Sequence, residues 1–253
     1  MPVLGLEARE PVLKRAAWAV FNALQLAFTI GWSASCIVLA LLVRIAAGGR
    51  AHLPLRMASR LWAPGLLRGA GARLRVEGLG RVDWSRPHVF VANHQSIIDV
   101  CALFRALPVP IRFVLKQELG NVPFIGWYAR AMGMVFIQRG NARAATRSLR
   151  AAAELLERGA NLCAFPEGTR SHDGELRAFK GGVFQAAIAA HVPVVPIAIQ
   201  GSGAVLPPAG FRVRPGTIRV RIGQPIATPD HPHAQDRQQL AQHAREAVAA
   251  LMR

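Results

Sequence analysis

Val89-Phe90-Val91-Ala92-Asn93-His94-Gln95-Ser96-Ile97-Ile98-Asp99 is the stretch from which the architecture is read. Its first four residues form an uncharged apolar run, which stops at a turn carrying Asn93 and His94. A second apolar segment, Ile97–Leu107, follows with helical length. A short apolar run bounded by polar turn residues reads as a buried strand, and a longer one as a helix. The same texture continues down the chain from about Arg73. Further strands are expected at Leu74–Val76, Ile111–Leu115, Met134–Ile137, Leu162–Phe165, Val194–Ile199 and Ile218–Ile222. Further helices are expected at Phe124–Ala131, Ala142–Arg158, Gly182–Ala190 and Ala234–Met252, the second of these entered at Asn141 and closed by Gly159. Alternation of this kind predicts an α/β fold, a central mixed sheet layered with helices.

Upstream the texture is different. No charge interrupts Ala16–Val43, which is flanked by Lys14 and Arg15 on one side and Arg44 on the other. Crossing a bilayer takes about 20 apolar residues, so this run is long enough to span with tilt. It is too long for a signal peptide's apolar core and lacks a clean cleavage site. Asn22, Gln25 and Gly31-Trp32-Ser33-Ala34-Ser35 interrupt it, and a hairpin bent near Gly31 and dipping into one leaflet competes with a single span. Arginines 44, 50, 56, 60 and 68 then interleave with Leu53, Leu55, Leu61, Trp62, Leu66 and Leu67, as in a helix lying on an anionic membrane surface. The division expected is a membrane segment over 1–70 and a catalytic domain over 71–253. The basic residues after 44 place that domain on the cytoplasmic side of the inner membrane.

The formal charge of +17 fits anionic lipid, phosphorylated small molecules or nucleic acid equally well. Nucleic-acid motifs are missing and an anchor argues against that partner. Cys36, Cys101 and Cys163 are too scattered for a disulfide framework or a structural zinc site, and each sits in apolar sequence as a reduced, buried thiol does.

Residues able to do chemistry follow the predicted strands, where α/β proteins place their sites. After Val89–Ala92, His94 is a candidate general base and Asp99 its orienting carboxylate. Residues five apart on one helix point about 140° apart, so the two meet only if His94 stands on the turn ahead of the helix. Spacing alone decides little, because His231 and Asp236 repeat it in a proline-rich loop. After Leu162–Phe165 come Glu167, Gly168, Thr169 and Arg170, whose backbone amides and guanidinium suit a phosphate or carboxylate. Read alone, this is also an ordinary corner with a surface ion pair. Lys116 and Arg139 follow two further strands. Val192-Pro193-Val194-Val195-Pro196 reads as wall rather than chemistry.

Taken in order, four blocks resemble the lysophospholipid acyltransferase family. They are Asn-His-x4-Asp (93–99), Gly-x-x-Phe-Ile-x-Arg (133–139), Phe-Pro-Glu-Gly-Thr-Arg-Ser (165–171) and Val-Pro-x-x-Pro (192–196). Gln138 stands where the family often has Asp. The resemblance implies His94 as base, Asp99 as its partner, and Arg139 and Arg170 on the acceptor's phosphate, with Glu167, Gly168 and Thr169 lining the acceptor site; Lys116, from its place after a strand, would add a cation to the same edge. It implies an acyl-CoA or acyl-carrier-protein donor, no metal and no cofactor. The acceptor expected is lysophosphatidic acid, giving phosphatidic acid. Alternatives are another lyso-lipid (a lyso-ornithine lipid or lysophosphatidylglycerol), a hydrolase using the same His to activate water, or a non-catalytic binder of anionic membranes. Ser96 and Cys101 could be suspected as acyl-accepting nucleophiles. Cys101, however, falls about 200° from Asp99 on the expected helix and Ser96 sits where an N-cap hydroxyl belongs, so direct transfer is expected.

His94→Ala should lower acyl transfer by orders of magnitude, and His231→Ala, with the same spacing to an Asp, should be nearly silent. Steady-state rates of the two variants check this; comparable losses would remove His94 from its role.

Overall fold

The computed structural model describes residues 12–138, 142–230, 233 and 235–253. In chain order the elements are α1 (Val12–Ala46), α2 (His52–Met57), a π turn (Ala58–Trp62) and α3 (Ala63–Gly69), followed by β1 (Ala72–Glu77), β2 (Val89–Ala92) and α4 (Ile98–Ala106). Then come β3 (Ile111–Lys116), α5 (Ile125–Ala131), β4 (Val135–Ile137), α6 (Ala142–Glu157), β5 (Asn161–Ala164) and α7 (Gly182–Ala189). The chain closes with β6 (Val194–Gln200), α8 (Ser202–Val205), β7 (Gly216–Ile222) and α9 (Asp236–Leu251). Asn141 and His231 lie outside the described residues, as does Arg139.

All seven strands join one sheet in the order β1-β7-β6-β2-β5-β3-β4. Every neighbouring pair is parallel except β6 with β7. The mixed sheet layered with helices is the expected architecture. Its centre, β2, β5 and β6, is almost wholly buried, which is why those segments are uninterrupted apolar runs: a strand covered on both faces has no polar side to alternate with. β2 feeds both layers through its pleat. Phe90 and Ala92 join the core beneath α3 and α4, while Val89 and Val91 join the core beneath α6, α7 and α9. The edge strand β1 alternates half-buried and exposed residues.

α1 is a single continuous helix of 35 residues, roughly 52 Å at about 1.5 Å per residue, unbroken at Gly31. It is long and apolar enough to cross a membrane. The polar and aromatic residues that interrupt its sequence are its attachment points. Asn22 Oδ1 accepts the Val213 N–H at 2.6 Å, Trp32 Nε1 donates to the Trp62 carbonyl at 3.2 Å, and Trp62 Nε1 donates to Ser33 Oγ at 3.0 Å. The indole of Trp32 fits over Gly65 and the ring of Phe28 over Gly69, where any β-carbon would stand 2.3 and 2.5 Å from ring atoms. Small residues four apart on α3 let the large rings of α1 close in, as at tightly packed helix pairs in lipid.

The basic stretch after α1 divides its apolar residues, Leu53 and Leu61 staying exposed while the others turn inward. α2, the π turn and α3 bury Leu55, Leu66 and Leu67 in one core with Phe104 of α4 and Ile218 of β7, while Arg56, Arg60 and Arg68 face outward. That inward part of the stripe finds a protein partner that periodicity cannot name.

Gly65→Ala should lower unfolding stability by about 1–3 kcal/mol, because the Trp32 ring must leave its seat. Gly31→Ala has open space and should be neutral or slightly stabilising. Thermal unfolding in one detergent checks the pair; equal effects would mean that α1 does not dock on α3.

Candidate active site

The turn from β2 into α4 carries the first block. α4 begins only at Ile98, so His94 stands ahead of it and folds back over the first helical turn. His94 Nδ1 lies 2.9 Å from Asp99 Oδ2. Asp99 has no exposed surface, and the same oxygen accepts the N–H groups of Gln95 and Ser96, each at 2.8 Å. An ionised carboxylate only accepts, so against it a neutral His94 would donate from Nδ1 and keep its lone pair on Nε2. The imidazole is 17% exposed and lies flat on Phe165, with ring centroids 3.9 Å apart and planes 13° apart.

The backbone of His94 is held by the loop after β5. Its N–H donates to Glu167 Oε1 at 2.8 Å, and its carbonyl accepts the Ser171 N–H at 2.7 Å. Glu167 is buried, and its other oxygen accepts the Arg177 N–H at 3.0 Å. Burial pushes the Glu167 carboxyl above its usual range, and the two amide donors pull against that shift. The acid thus clamps two backbones rather than pairing with Arg170. Arg245, on α9, braces the far side of the clamp by donating to the carbonyls of Leu176 and Arg177 at 3.0 and 3.2 Å. Asn93 fixes the other flank: its amide exchanges two bonds with the backbone of Ile199, at 2.7 and 2.9 Å, and so extends the pairing of β2 with β6 past the strand end.

Parallel pairing brings the ends of β2, β5, β3 and β4 to one edge of the sheet. Lys116 ends β3, exposed, and Arg170 is half-buried in the loop after β5; neither has an ion-pair partner among the described residues. Gly168 turns that loop with a φ of 76°, which a side chain would strain, and Thr169 is exposed beside it. Arg139 cannot be placed, although β4 ends with Ile137 level with Lys116.

Both suspected nucleophiles are committed elsewhere. Ser96 is buried, and its hydroxyl donates to the Leu206 carbonyl at 2.6 Å while accepting the Ile98 N–H at 3.3 Å. Cys101 faces an apolar cavity, and burial, with the nearby charge of Asp99, pushes its thiol up to about 12. All three cysteines are free and buried. The cavity holds about 390 Å³ between α1, the π turn and α5, and reaches Ile98 and Cys101 on either side of Asp99.

The sequence reading did not find Phe165, Ser171, Arg177 or Arg245 as positioning residues. Phe165 lies within the third block, but nothing in its spelling reveals a ring stacked on His94. Arg245 is one arginine among many, on a helix far along the chain.

The acyltransferase family matches the chain over residues 73–200, the span holding both constellations. The chain belongs to the acyltransferase family. Relatives include the chloroplastic 1-acyl-sn-glycerol-3-phosphate acyltransferase of Arabidopsis thaliana, 36% identical over 71% of this chain and 49% of its own length. The 1-acyl-sn-glycerol-3-phosphate acyltransferase of Saccharomyces cerevisiae is 34% identical over 56% of this chain and 48% of its own. The chain therefore spans about half the length of the curated relatives it matches. The crystal structure of the 1-acyl-sn-glycerophosphate acyltransferase of Thermotoga maritima superimposes with a TM-score of 0.77, at 25% identity over 93% of this chain and 98% of that one. That acyltransferase fold includes the N-terminal helices as well as the sheet, given the coverage.

Glu167→Gln turns an amide N–H₂ toward one of the two backbone N–H groups, and an orphaned buried donor costs about 1–3 kcal/mol. Felt at His94, that is a loss of up to about a hundredfold in turnover. Rates alongside circular dichroism check this; a folded variant with undiminished turnover would show that the clamp does not position the base.

Proposed function

We propose that this acyltransferase moves a fatty acyl group from a thioester, acyl-CoA or acyl-carrier-protein, to the sn-2 hydroxyl of 1-acyl-glycerol-3-phosphate, giving phosphatidic acid. The observation that carries it is the buried Asp99 2.9 Å from His94 Nδ1, on an edge that also presents the unpaired cations Lys116 and Arg170. The names of the relatives support the acceptor.

In this reading His94 Nε2 takes the proton of the sn-2 hydroxyl as the oxygen attacks the thioester carbonyl. Asp99 stabilises the imidazolium that forms. The tetrahedral oxyanion collapses, the C–S bond breaks, and the proton passes from His94 to the departing thiolate. Ester and free thiol are the products, and the base is regenerated. Arg170, Lys116 and, from the sequence, Arg139 hold the acceptor's phosphate, which selects the hydroxyl that reaches His94. Gly168 and Thr169 border the phosphate, and Glu167 acts by holding the turn. The apolar cavity beside Asp99 takes an acyl chain, since almost every group lining it is hydrocarbon or aromatic.

We read α1 as the membrane element, with the domain on the cytoplasmic face of the inner membrane. The helix touches the rest of the protein from Asn22, bonded to Val213, to Ala40 at the cavity. Held along that length, it sinks its outer face into one leaflet rather than leaving the domain to cross the bilayer. The division into a membrane segment over 1–70 and a catalytic domain over 71–253 is then functional, since the two share a core.

Mass spectrometry of products from a panel of lyso-lipid acceptors tests the proposal: lysophosphatidic acid should be preferred, and release of free fatty acid without new ester would overturn it. Arg170→Ala should raise the KM for lysophosphatidic acid about ten- to hundredfold, as loss of a charge-assisted bond of roughly 1.5–3 kcal/mol requires. Its effect on a phosphate-free acceptor should be slight; equal damage to both would contradict the phosphate role. The Lys variant should recover only part, for want of the planar fork.

A further inference from the structure

Beyond residue 71, the exposed large apolar side chains among the described residues are Leu79 and one cluster: Ile97, Val122, Phe124, Ile125 and Trp127. Ile97 is 59% exposed, Ile125 45% and Trp127 52%. Such a concentration on an otherwise polar domain surface marks a contact with something apolar. Four of the five lie on the short segment between β3 and β4, which leaves the sheet at Lys116, on the edge that carries His94. Phe124 has a φ of 61°, a conformation unfavourable for any residue but glycine, and its ring lies 5.0 Å from that of Trp127. A strained backbone that displays two aromatic rings to the outside is not what packing within the protein asks for.

Two further observations say what covers the cluster. α5, which bears Ile125 and Trp127, packs against α1, so the patch continues the outward apolar face of that helix. Ile97 and Ile125, with exposed Leu61, also line the apolar cavity, whose remaining walls include buried Phe104 and Phe113, so the cavity meets the surface within this patch. Exposed Lys116 and Arg130 flank the patch, with Glu118 the one acid between them. Aromatic rings set among basic residues are the composition of a segment at the boundary of headgroups and acyl chains.

We propose that Val122–Trp127 is a second membrane-inserting element, seated in the same leaflet as α1, with Arg130 meeting anionic headgroups. The proposal rests on the reading of α1 as a membrane element. One embedded helix would let the domain roll about its axis. A second line of contact, on the catalytic edge, removes that freedom and turns the approach to His94 toward the lipid surface, where a lysolipid arrives without leaving the bilayer.

The test uses the full chain bound to vesicles of phosphatidylethanolamine and phosphatidylglycerol. A nitroxide is placed on Trp127→Cys and, in a second sample, on Arg150→Cys, at an exposed position of α6 in the opposite layer. The native cysteines are buried and label poorly. Power saturation should find the label at 127 more accessible to oxygen than to a nickel chelate, at a depth of roughly 5–10 Å, and the label at 150 in water. A water-like response at 127 on vesicle-bound protein overturns the proposal. So does spin–spin broadening at 127 that disappears on dilution with unlabelled protein, which would mean that a second copy covers the patch. Protein that fails to attach at all overturns this element and the anchor together. Insertion by a protein without acyl transfer would leave this inference standing and sink the function. As a kinetic readout, the double variant Phe124→Ser, Trp127→Ser should raise the KM for vesicle-borne lysophosphatidic acid by at least about tenfold, since withdrawing two aromatic rings from lipid weakens the seating by more than that factor, with kcat unchanged. An unchanged KM would also count against it.

Discussion

A carboxylate without exposed surface calls for donors, and the site is organised around the one oxygen of Asp99 that receives them, Oδ2; Oδ1 is buried with no partner among the described residues. Oδ2 gathers His94 Nδ1 and the amides of Gln95 and Ser96. Burying an ion is costly unless it is paired and hydrogen-bonded, so the first turn of α4 is locked into the shape that supplies those amides. That shape brings His94 back over the helix start. The same requirement recurs one layer out, where buried Glu167 is satisfied by the amides of His94 and Arg177. The imidazole is thus held at its side chain by Asp99, at its backbone by Glu167 and Ser171, and at its face by Phe165. In the proposed mechanism this rigidity would serve the chemistry, because a base misplaced by an ångström loses much of its effect.

The cavity follows from how the N-terminal helices are joined to the sheet. α1 touches α3 through glycines and touches the 206–213 region through Asn22, and the space left between these contacts stays apolar. An exposed apolar face and a protein-facing one therefore meet on one helix. This links the membrane reading to the catalytic one: the helix that would sit in the leaflet is also a wall of the cavity that reaches Ile98 and Cys101.

Much of the fold was legible in the sequence, and for a physical reason. Strands buried on both faces are short apolar runs, so Val89–Ala92, Leu162–Phe165 and Val194–Ile199 announce themselves, and every expected strand and helix of the domain is present with ends shifted by a few residues. The dyad was legible as well, because only a turn between strand and helix lets residues five apart meet. Partnership was not. Asn22, Trp32 and Ser33 looked like defects in a membrane helix, since a one-dimensional pattern does not show Val213 or Trp62 opposite them. Leu55, Leu66 and Leu67 looked lipid-facing for the same reason. Glu167 suggested a partner for Arg170, but its acceptors went to backbone amides, which every residue carries and no sequence distinguishes.

The most direct measurement of the central claim is the tautomer of His94, read by ¹⁵N NMR of histidine-labelled protein above neutral pH. The chain has eight histidines, so the His94 signals are assigned by their loss in His94→Gln. With Asp99 accepting from Nδ1, the spectrum should show Nδ1 protonated and Nε2 bare, and Asp99→Asn should disturb that preference. A protonated Nε2 in the native protein would contradict the account, since no lone pair would then face the acceptor hydroxyl.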